Sequence, residues 1–246
     1  KNIKIFPSSQ KIKSRLRAVG IRPINNIVDI TNYVLTEIGQ PMHSFDKREL
    51  EGGQIVVRNA NEGETIVTLD GKENKLNPSM LVICDSLRPV AVAGVMGGEN
   101  SGIKDDTTEV VFESAKFARD NIRRTSRALN LRSDSSARYE KGIDFASQEY
   151  GLKRALTLVY QSGSGDIVDG LIDVKVDYQK VREIKFTTKK LQEILGCKVP
   201  KNTLITILER LGIEVVEGDK CLVAKVKEDR EDIVGVNDIA EEFIRV

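Results

Sequence analysis

Five short segments rich in β-branched residues follow one another between Gln54 and Phe112, and segments of helical periodicity flank them on both sides. The five are IVVR, TIVTL, MLVIC, PVAVAGV and EVVF, and Asp70-Gly71 among them has the composition of a hairpin turn. Strands clustered between helices indicate an α+β fold. The sequence therefore predicts a large mixed domain with a β-rich core flanked by helices.

Helices are predicted before and after this strand-rich part. Ser8 and Ser9 can cap a first helix that carries Ile12, Leu16 and Val19 on one stripe and stops at Gly20. A second helix shows apolar positions at i, i+4, i+7, i+8 and i+11 from Ile27 to Ile38, and Gly39 and Pro41 end it. Residues 145–161 return to helical spacing.

The chain divides into two predicted domains, 1–178 and 179–246. The strand-like run 167–176 is expected to pack on the first domain, which places the boundary near Tyr178. Beyond it the sequence predicts a strand (EIKF), helices over Lys189–Leu195 and Asn202–Leu211, a hairpin at Gly218-Asp219 and a last helix. That helix reaches the end of the sequence without a cap, so the chain is expected to be a fragment of something longer.

Composition excludes several classes of protein. Hydrophobic residues make up 40% and charged residues 30%, which predicts a folded globular chain, and no apolar stretch approaches the roughly 20 residues of a membrane span. The formal net charge of +1 excludes a globally basic nucleic-acid binder. Three widely spaced cysteines and no secretory segment favour a reducing compartment, and we expect the protein to be cytoplasmic.

The only histidine, His43, limits the catalytic schemes. Any Ser–His–Asp or Cys–His arrangement must use it, yet the surrounding GQPMHSFD contains no nucleophile-elbow serine, so a structural role stays open. The Gly-rich loop Gly94–Gly102 lacks the Gly-Lys-Ser/Thr of a P-loop. Spacing alone leaves this loop as either a tight turn or a ligand site.

Two charged patterns stand out. Eight Lys or Arg and three acidic residues lie between 116 and 141, a net charge of +5 that could follow a phosphate backbone or cover a solvated helix face. Near the end, Asp238, Glu241 and Glu242 share one helix face and Asp232 lies just upstream. These carboxylates suit either Mg²⁺ or an acidic solvent face.

Four motifs carry a resemblance to a known family. DITNYVLTEIGQPMHSFD (29–46), AGVMGGENSGI (93–103), VVFESAKF (110–117) and RSDSSARYEKGID (132–144) resemble the editing domain of the bacterial phenylalanine–tRNA ligase beta subunit, over residues 1–178. The remainder resembles the following, fifth module, a small winged-helix-like unit. That family has Pro-Ser-aromatic-Arg-aromatic-Asp where this chain has KEDRED, so only Arg230 and Asp232 persist.

The resemblance implies an activity and a set of site residues. Such an editing domain hydrolyses mischarged Tyr-tRNA(Phe), with Glu113 holding the tyrosine hydroxyl and His43 orienting the ester or stabilising the oxyanion. The other pocket positions implied are Arg22, Thr31, Asn32, Gly94, Gly97, Gly98, Ser133 and Ser135. At Ser133 and Ser135 better-known relatives have Thr and Ala.

The resemblance also implies partners and cofactors. The parent enzyme attaches phenylalanine to tRNA(Phe) with ATP and Mg²⁺ as an α2β2 tetramer, and Asp232, Asp238, Glu241 and Glu242 match positions that hold Mg²⁺ at the interface with the alpha subunit. Editing itself requires no metal ion, and this chain is not expected to charge tRNA alone. Two alternatives stay open: a non-catalytic tRNA-contact and scaffold module, and a free-standing aminoacyl-tRNA editing hydrolase.

Overall fold

The computed structural model describes residues 1–175, 181–227 and 229–246. Contacts divide the chain into two units. The first comprises Lys1–Ile143 with Ser147–Leu171, and the second comprises Asp144–Ala146 with Ile172–Val246. Tyr178, near which the sequence places the boundary, lies outside the described residues.

Two helices open the first unit, as predicted. α1 (Gln10–Ala18) begins where the Ser9 hydroxyl accepts the amide of Ile12, and it buries Leu16. α2 (Asn26–Ile38) is capped by Asn25 and ends at Gly39, whose φ of +91° is the left-handed conformation that favours glycine. The predicted stripe of α1 is wrong at one position, since Val19 lies beyond the last helical turn and 54% of it is exposed.

The strands of the first unit form an antiparallel sheet and two separate two-stranded ribbons. In chain order they are β1 (Met42–Asp46), β2 (Val56–Asn59), β3 (Thr65–Val67), β4 (Glu73–Lys75), β5 (Leu81–Cys84), β6 (Pro89–Val92), β7 (Met96–Gly97) and β8 (Val110–Ser114). The sheet has the order β2-β5-β6-β7, β3 pairs with β4 across the predicted Asp70-Gly71 turn, and β1 pairs with β8. All of these pairings are antiparallel.

The β1–β8 ribbon lies between two hydrophobic clusters. Its residues Met42, Val110 and Phe112 pack with the core that includes Leu16, Ile27, Ile30 and Ala155 of the helices. Phe45 and Val111, which alternate with them, pack instead on Ile83 and Val90 of the sheet. His43 and Glu113 belong to this second, sheet-facing side of the ribbon because they keep the alternation of Phe45 and Val111.

Three helices complete the first unit: α3 (Arg119–Ala128), α4 (Asp134–Tyr139) and α5 (Ser147–Ser162). The predicted strand over 167–176 is wrong for the described residues 167–175, which form no helix or strand and do not pack on a core. Ile172 and Val174 are more than 90% exposed. Gly170, with φ +110°, breaks the run, and without a neighbouring strand β-branched residues alone do not make a sheet.

The second unit has the predicted order of elements. It contains β9 (Val181–Phe186), α6 (Thr188–Leu195), α7 (Lys201–Arg210), β10 (Glu214–Glu217), β11 (Leu222–Lys227) and α8 (Val236–Ile244). The strands pair antiparallel in the order β10-β11-β9, and the helices bury Leu191, Leu204, Leu208 and Ile239 against them. The helices and antiparallel strands of both units confirm the α+β class.

Candidate functional site

His43 and Glu113 are direct partners across two antiparallel strands. β1 pairs with β8 in the register that sets His43 opposite Glu113 and Phe45 opposite Val111. Residues directly opposite each other in such a pair place their Cβ atoms about 4.5–5.5 Å apart on the same face. The ribbon therefore brings the two residues of the predicted chemistry together on its sheet-facing side.

The imidazole of His43 lies against the backbone of Gly97 in β7. A Cβ atom at Gly97 would lie 2.3 Å from Cε1 and 2.7 Å from Nε2 of His43, so only glycine leaves room for the ring. The ring also makes an edge contact with Phe45, with centroids 4.5 Å apart. Among the described residues, its Nε2 is enclosed and has no hydrogen-bond partner. Burial lowers the pKa of His43 to about 4, so the ring is neutral at pH 7.

The Glu113 carboxyl is partly buried and has no ion-pair or hydrogen-bond partner among the described residues. Burial raises its pKa to about 7 because the charged form is poorly solvated there. The nearby phenol of Tyr139 donates a hydrogen bond to Ala115 O at 2.9 Å, beyond the end of β8. Burial, and then the charge of Glu113, raise the pKa of Tyr139. The Glu113 carboxyl therefore retains its capacity to form a hydrogen bond with a ligand.

The Gly-rich loop packs closely on its surroundings. At Gly94, where φ is +66°, a Cβ atom would lie 2.7 Å from Phe117 Cδ2, 2.8 Å from Ile122 Cδ1 and 3.1 Å from Tyr139 Cδ2. At Gly98 a Cβ atom would lie 2.7 Å from the carbonyl oxygen of Val90. The loop makes a tight turn at Gly94, and its glycines bring the backbone close to His43 and Tyr139. A ligand site at this loop stays a prediction.

Both predicted pocket serines fasten α4 to this loop. Ser135 Oγ donates to Gly94 O at 3.2 Å, and Ser133 Oγ donates to Val95 O while it accepts the Ser136 amide in a capping box. Their hydroxyl groups are used within the chain. The two serines therefore position the loop beside the site.

The structure does not join the other three predicted pocket residues to His43 or Glu113. Arg22 is exposed in the loop before α2, where it lines an open surface groove. Thr31 Oγ1 donates to Val28 O within α2, and Asn32 accepts the hydroxyl of Thr36 on its backbone carbonyl. No hydrogen bond or ion pair in the described part of the chain connects them to the two central residues.

A buried amide supports the site and was missed at the level of sequence. Gln40 Nε2 donates to Pro41 O at 2.8 Å and to Ala115 O at 2.9 Å, and its Oε1 accepts a hydrogen bond from Gln148 at 3.1 Å. It shares the Ala115 carbonyl with the Tyr139 phenol. Sequence reasoning singled out neither Gln40 nor Tyr139, although both lie inside the motifs that carry the resemblance. Gln40 stands between Gly39 and Pro41, and Tyr139 stands in a polar run.

The acidic residues of the second unit have partners within the chain. Asp238 Oδ2 accepts the amides of Val234 and Gly235 at 2.8 Å and so caps α8. Asp232 pairs with Arg230 at 2.8 Å.

Glu242 is buried and pairs with the same Arg230 at 3.0 Å and with Arg245 at 3.4 Å, while Glu241 lies 3.8 Å from Arg245. No group of three metal-binding side chains occurs in the described residues. The four carboxylates as arranged here do not fit a magnesium ion, and Mg²⁺ stays a prediction.

Some basic side chains of the run 116–141 have no ion-pair partner among the described residues, and others interact within the chain. Arg123, Arg124 and Arg127 are exposed on the outer side of α3 and form no ion pair among the described residues. Lys116 and Arg119 both have interactions within the chain.

Among the described residues, no helix is long and apolar enough to cross a bilayer.

Two models of known domain families match the chain. The sequence model of the B3/4 domain matches residues 1–163, and that of the tRNA synthetase B5 domain matches residues 184–246. A chain from the phenylalanyl-tRNA synthetase beta subunit of Pyrococcus horikoshii, an N-terminal fragment, shows a weak structural likeness, with a TM-score of 0.41 and 14% identity over 89% of this chain and 64% of that one.

Curated relatives are much closer in sequence. The phenylalanine–tRNA ligase beta subunit of Carboxydothermus hydrogenoformans is 42% identical over 245 residues, and that of Geobacillus kaustophilus is 43% identical over 246 residues. Each match covers the whole of this chain and 31% of the relative, so the chain spans about a third of the length of the relatives it matches. The chain belongs to the B3/4 domain family and continues into a tRNA synthetase B5 domain, as a part of the phenylalanine–tRNA ligase beta subunit family.

Proposed function

We propose that the first unit hydrolyses the ester of tyrosine mischarged onto tRNA(Phe), and that Glu113 selects the tyrosine. The observation that carries this proposal is the unpartnered, partly buried carboxyl of Glu113 directly opposite His43. A carboxyl in this state can bind a phenol in either protonation form, as acceptor when charged and as donor when neutral.

The selection has a physical basis in the difference between the two amino acids. Tyrosine is phenylalanine with one added hydroxyl, which a hydrophobic synthetic pocket rejects only about 100-fold. A site built to hydrogen-bond that hydroxyl discriminates far more strongly, by about 10⁴–10⁵, because phenylalanine leaves its polar group unpaired. Glu113 supplies such a group.

His43 serves as a hydrogen-bonding group of the reaction. A pKa of about 4 makes it a weak base at pH 7, but a neutral imidazole has one N–H donor and one acceptor. The donor can stabilise the oxyanion that forms when water attacks the ester carbonyl, or orient the ester. The water oxygen joins the acyl carbon, the acyl–oxygen bond breaks, and a water proton ends on the ribose oxygen, with the tRNA's own terminal hydroxyl assisting.

The remaining functions belong to a larger assembly. The relatives are beta subunits by name, and we propose that this chain works beside an alpha subunit, in the cytoplasm, in an α2β2 enzyme that charges tRNA(Phe) with phenylalanine and ATP. Alone, the chain is expected to form no Phe-tRNA(Phe) with ATP and Mg²⁺. Addition of alpha subunit to an intact beta subunit is expected to restore charging.

The test is the rate at which the 246-residue chain releases labelled tyrosine from Tyr-tRNA(Phe), with Phe-tRNA(Phe) as control. Selective release that Glu113→Ala abolishes supports the proposal, provided that Glu109→Ala, at a partly exposed and ion-paired neighbour, retains it. If release is absent, Glu113→Ala is measured in the intact synthetase. Unchanged clearance of Tyr-tRNA(Phe) there would favour a scaffold and tRNA-contact module instead.

A further inference from the structure

The first 28 residues carry an unusual charge. They contain seven Lys or Arg and no Asp or Glu, in a chain whose formal net charge is only +1. The seven are Lys1, Lys4, Lys11, Lys13, Arg15, Arg17 and Arg22. This excess is greater than that of the run 116–141, and the resemblance implies a role for only one of the seven, Arg22.

Two of these cations line one groove, and a third lies one helical turn away. Lys13 and Arg17 are one turn apart on α1, and Arg17 and Arg22 line the same open groove with Gly20, Ile21 and Pro23. None of the three forms an ion pair among the described residues. Like charges at this spacing repel one another, so a ligand that neutralises them binds favourably. We name the surface of Lys13, Arg17 and Arg22 the α1 groove.

The structural roles that could explain these side chains are filled by other groups. Near the end of α1, Leu16 O accepts the amides of Val19 and Ile21, and Arg17 O accepts that of Gly20, so these two carbonyls do not require the arginines as caps. Arg15, by contrast, donates to the hydroxyl of Tyr33 and has a place in the fold. Asp29, the first acidic residue of the sequence, is buried and accepts the Ile24 amide at 2.7 Å.

The α1 groove is connected to the candidate site through packed helices. α1 packs on α2, and α2 packs on β1, the strand that carries His43. An aminoacyl ester occupies only the terminal ribose of a tRNA, so the preceding phosphates must lie outside the site. We infer that the α1 groove binds phosphates of the tRNA acceptor end and so presents the ester to the His43–Glu113 site, an inference that rests on the proposed function.

The test compares two variants matched in charge. Lys13→Gln/Arg17→Gln removes two cations from the α1 groove, and Lys189→Gln/Lys198→Gln removes two exposed cations from the second unit. tRNA(Phe) without an attached amino acid is titrated onto the 246-residue chain at salt concentrations between 50 and 200 mM. Thermal unfolding checks that each variant is folded.

The α1 variant is expected to lose about tenfold in affinity at 50 mM salt, and its log–log salt slope is expected to fall by about 1.4–1.8. A loss no larger than that of the second-unit variant would overturn the inference, because it would reflect net charge alone. Deacylation of Tyr-tRNA(Phe) is measured in parallel. Weakened tRNA binding by the α1 variant, with no tyrosine release by any variant, would support the α1 groove and count against the proposed function. Tyrosine release together with unaltered tRNA affinity of the α1 variant would support the proposed function and overturn the inference.

Discussion

His43 and Glu113 face each other across the β1–β8 ribbon with oppositely shifted pKa values, about 4 and about 7. Both side chains are therefore neutral in the folded protein near pH 5.5. In the unfolded chain, at ordinary pKa values of 6.5 and 4.5, both are charged at that pH. The folded and unfolded states bind the same number of protons there, since one proton sits on the glutamate in the first and on the histidine in the second.

This balance predicts a pH dependence that appears only when one partner is removed. In His43→Gln the raised pKa of Glu113 remains, so the folded state binds the extra proton and stability falls as pH rises from about 4.5 to 7. In Glu113→Gln the lowered pKa of His43 remains, so stability falls as pH drops from about 6.5 to 4. Urea unfolding at pH 5 and 6 should give slopes of opposite sign, each at most about 1.4 kcal/mol per pH unit. Equal slopes in the two variants would contradict the assignment.

Glu113→Gln is expected to separate stability from activity. At pH 8 the wild-type carboxylate is charged in a poorly solvated position, so its replacement should raise the free energy of unfolding by about 1–3 kcal/mol. Release of tyrosine should fall at least tenfold if the carboxylate accepts the phenol hydrogen bond. Glu109→Gln, which loses only an exposed ion pair with Lys47, should change stability by less than about 1 kcal/mol. A destabilised Glu113→Gln would show that the carboxyl is stabilised by the fold.

Gly97→Ala should displace the His43 ring. The added methyl would lie 2.3 Å from Cε1, so the ring must move, and we expect a loss of about 1–3 kcal/mol in stability together with slower release of tyrosine. Gly102→Ala is the matched control, because its φ is −67° and its added methyl meets Leu69 at an ordinary 3.5 Å. In a double-mutant cycle, Gly97→Ala should cost much less in the His43→Ala background. Additive effects would mean that the clash is relieved elsewhere.

Arg230 is expected to stabilise the second unit in the absence of metal. It bridges Asp232 and the buried Glu242, so Arg230→Gln should lower stability by about 1–3 kcal/mol, with Arg245 limiting the loss. Lys190→Gln, at an exposed ion pair on α6, provides the control. Because the acidic side chains already have partners, 10 mM MgCl₂ should leave the unfolding midpoint of the 246-residue chain unchanged. An upward shift that Glu242→Gln removes would instead assign a magnesium site to this chain.

The sequence predicted those features that depend on near neighbours. The end of α2 at Gly39 was predictable because a left-handed residue and a proline two positions later leave few alternatives. The pairing of His43 with Glu113 was not, because register between strands distant in sequence depends on tertiary packing. The run 167–175 shows the converse, since its β-branched residues fit a strand but no sheet edge receives them. The sequence correctly placed Asp238 on α8, but it did not show that this carboxylate accepts backbone amides at the start of the helix.

The separation of β1 from β8 along the chain has a consequence for synthesis. β1 ends at Asp46 and β8 begins at Val110, and residues 47–109 between them include β2 to β7. At about 5–20 residues per second, the ribosome makes Glu113 roughly 4–14 s after His43. A nascent chain therefore carries its histidine on an unpaired strand throughout that interval, and the site arises in a single late step, when Val110–Ser114 emerges and pairs.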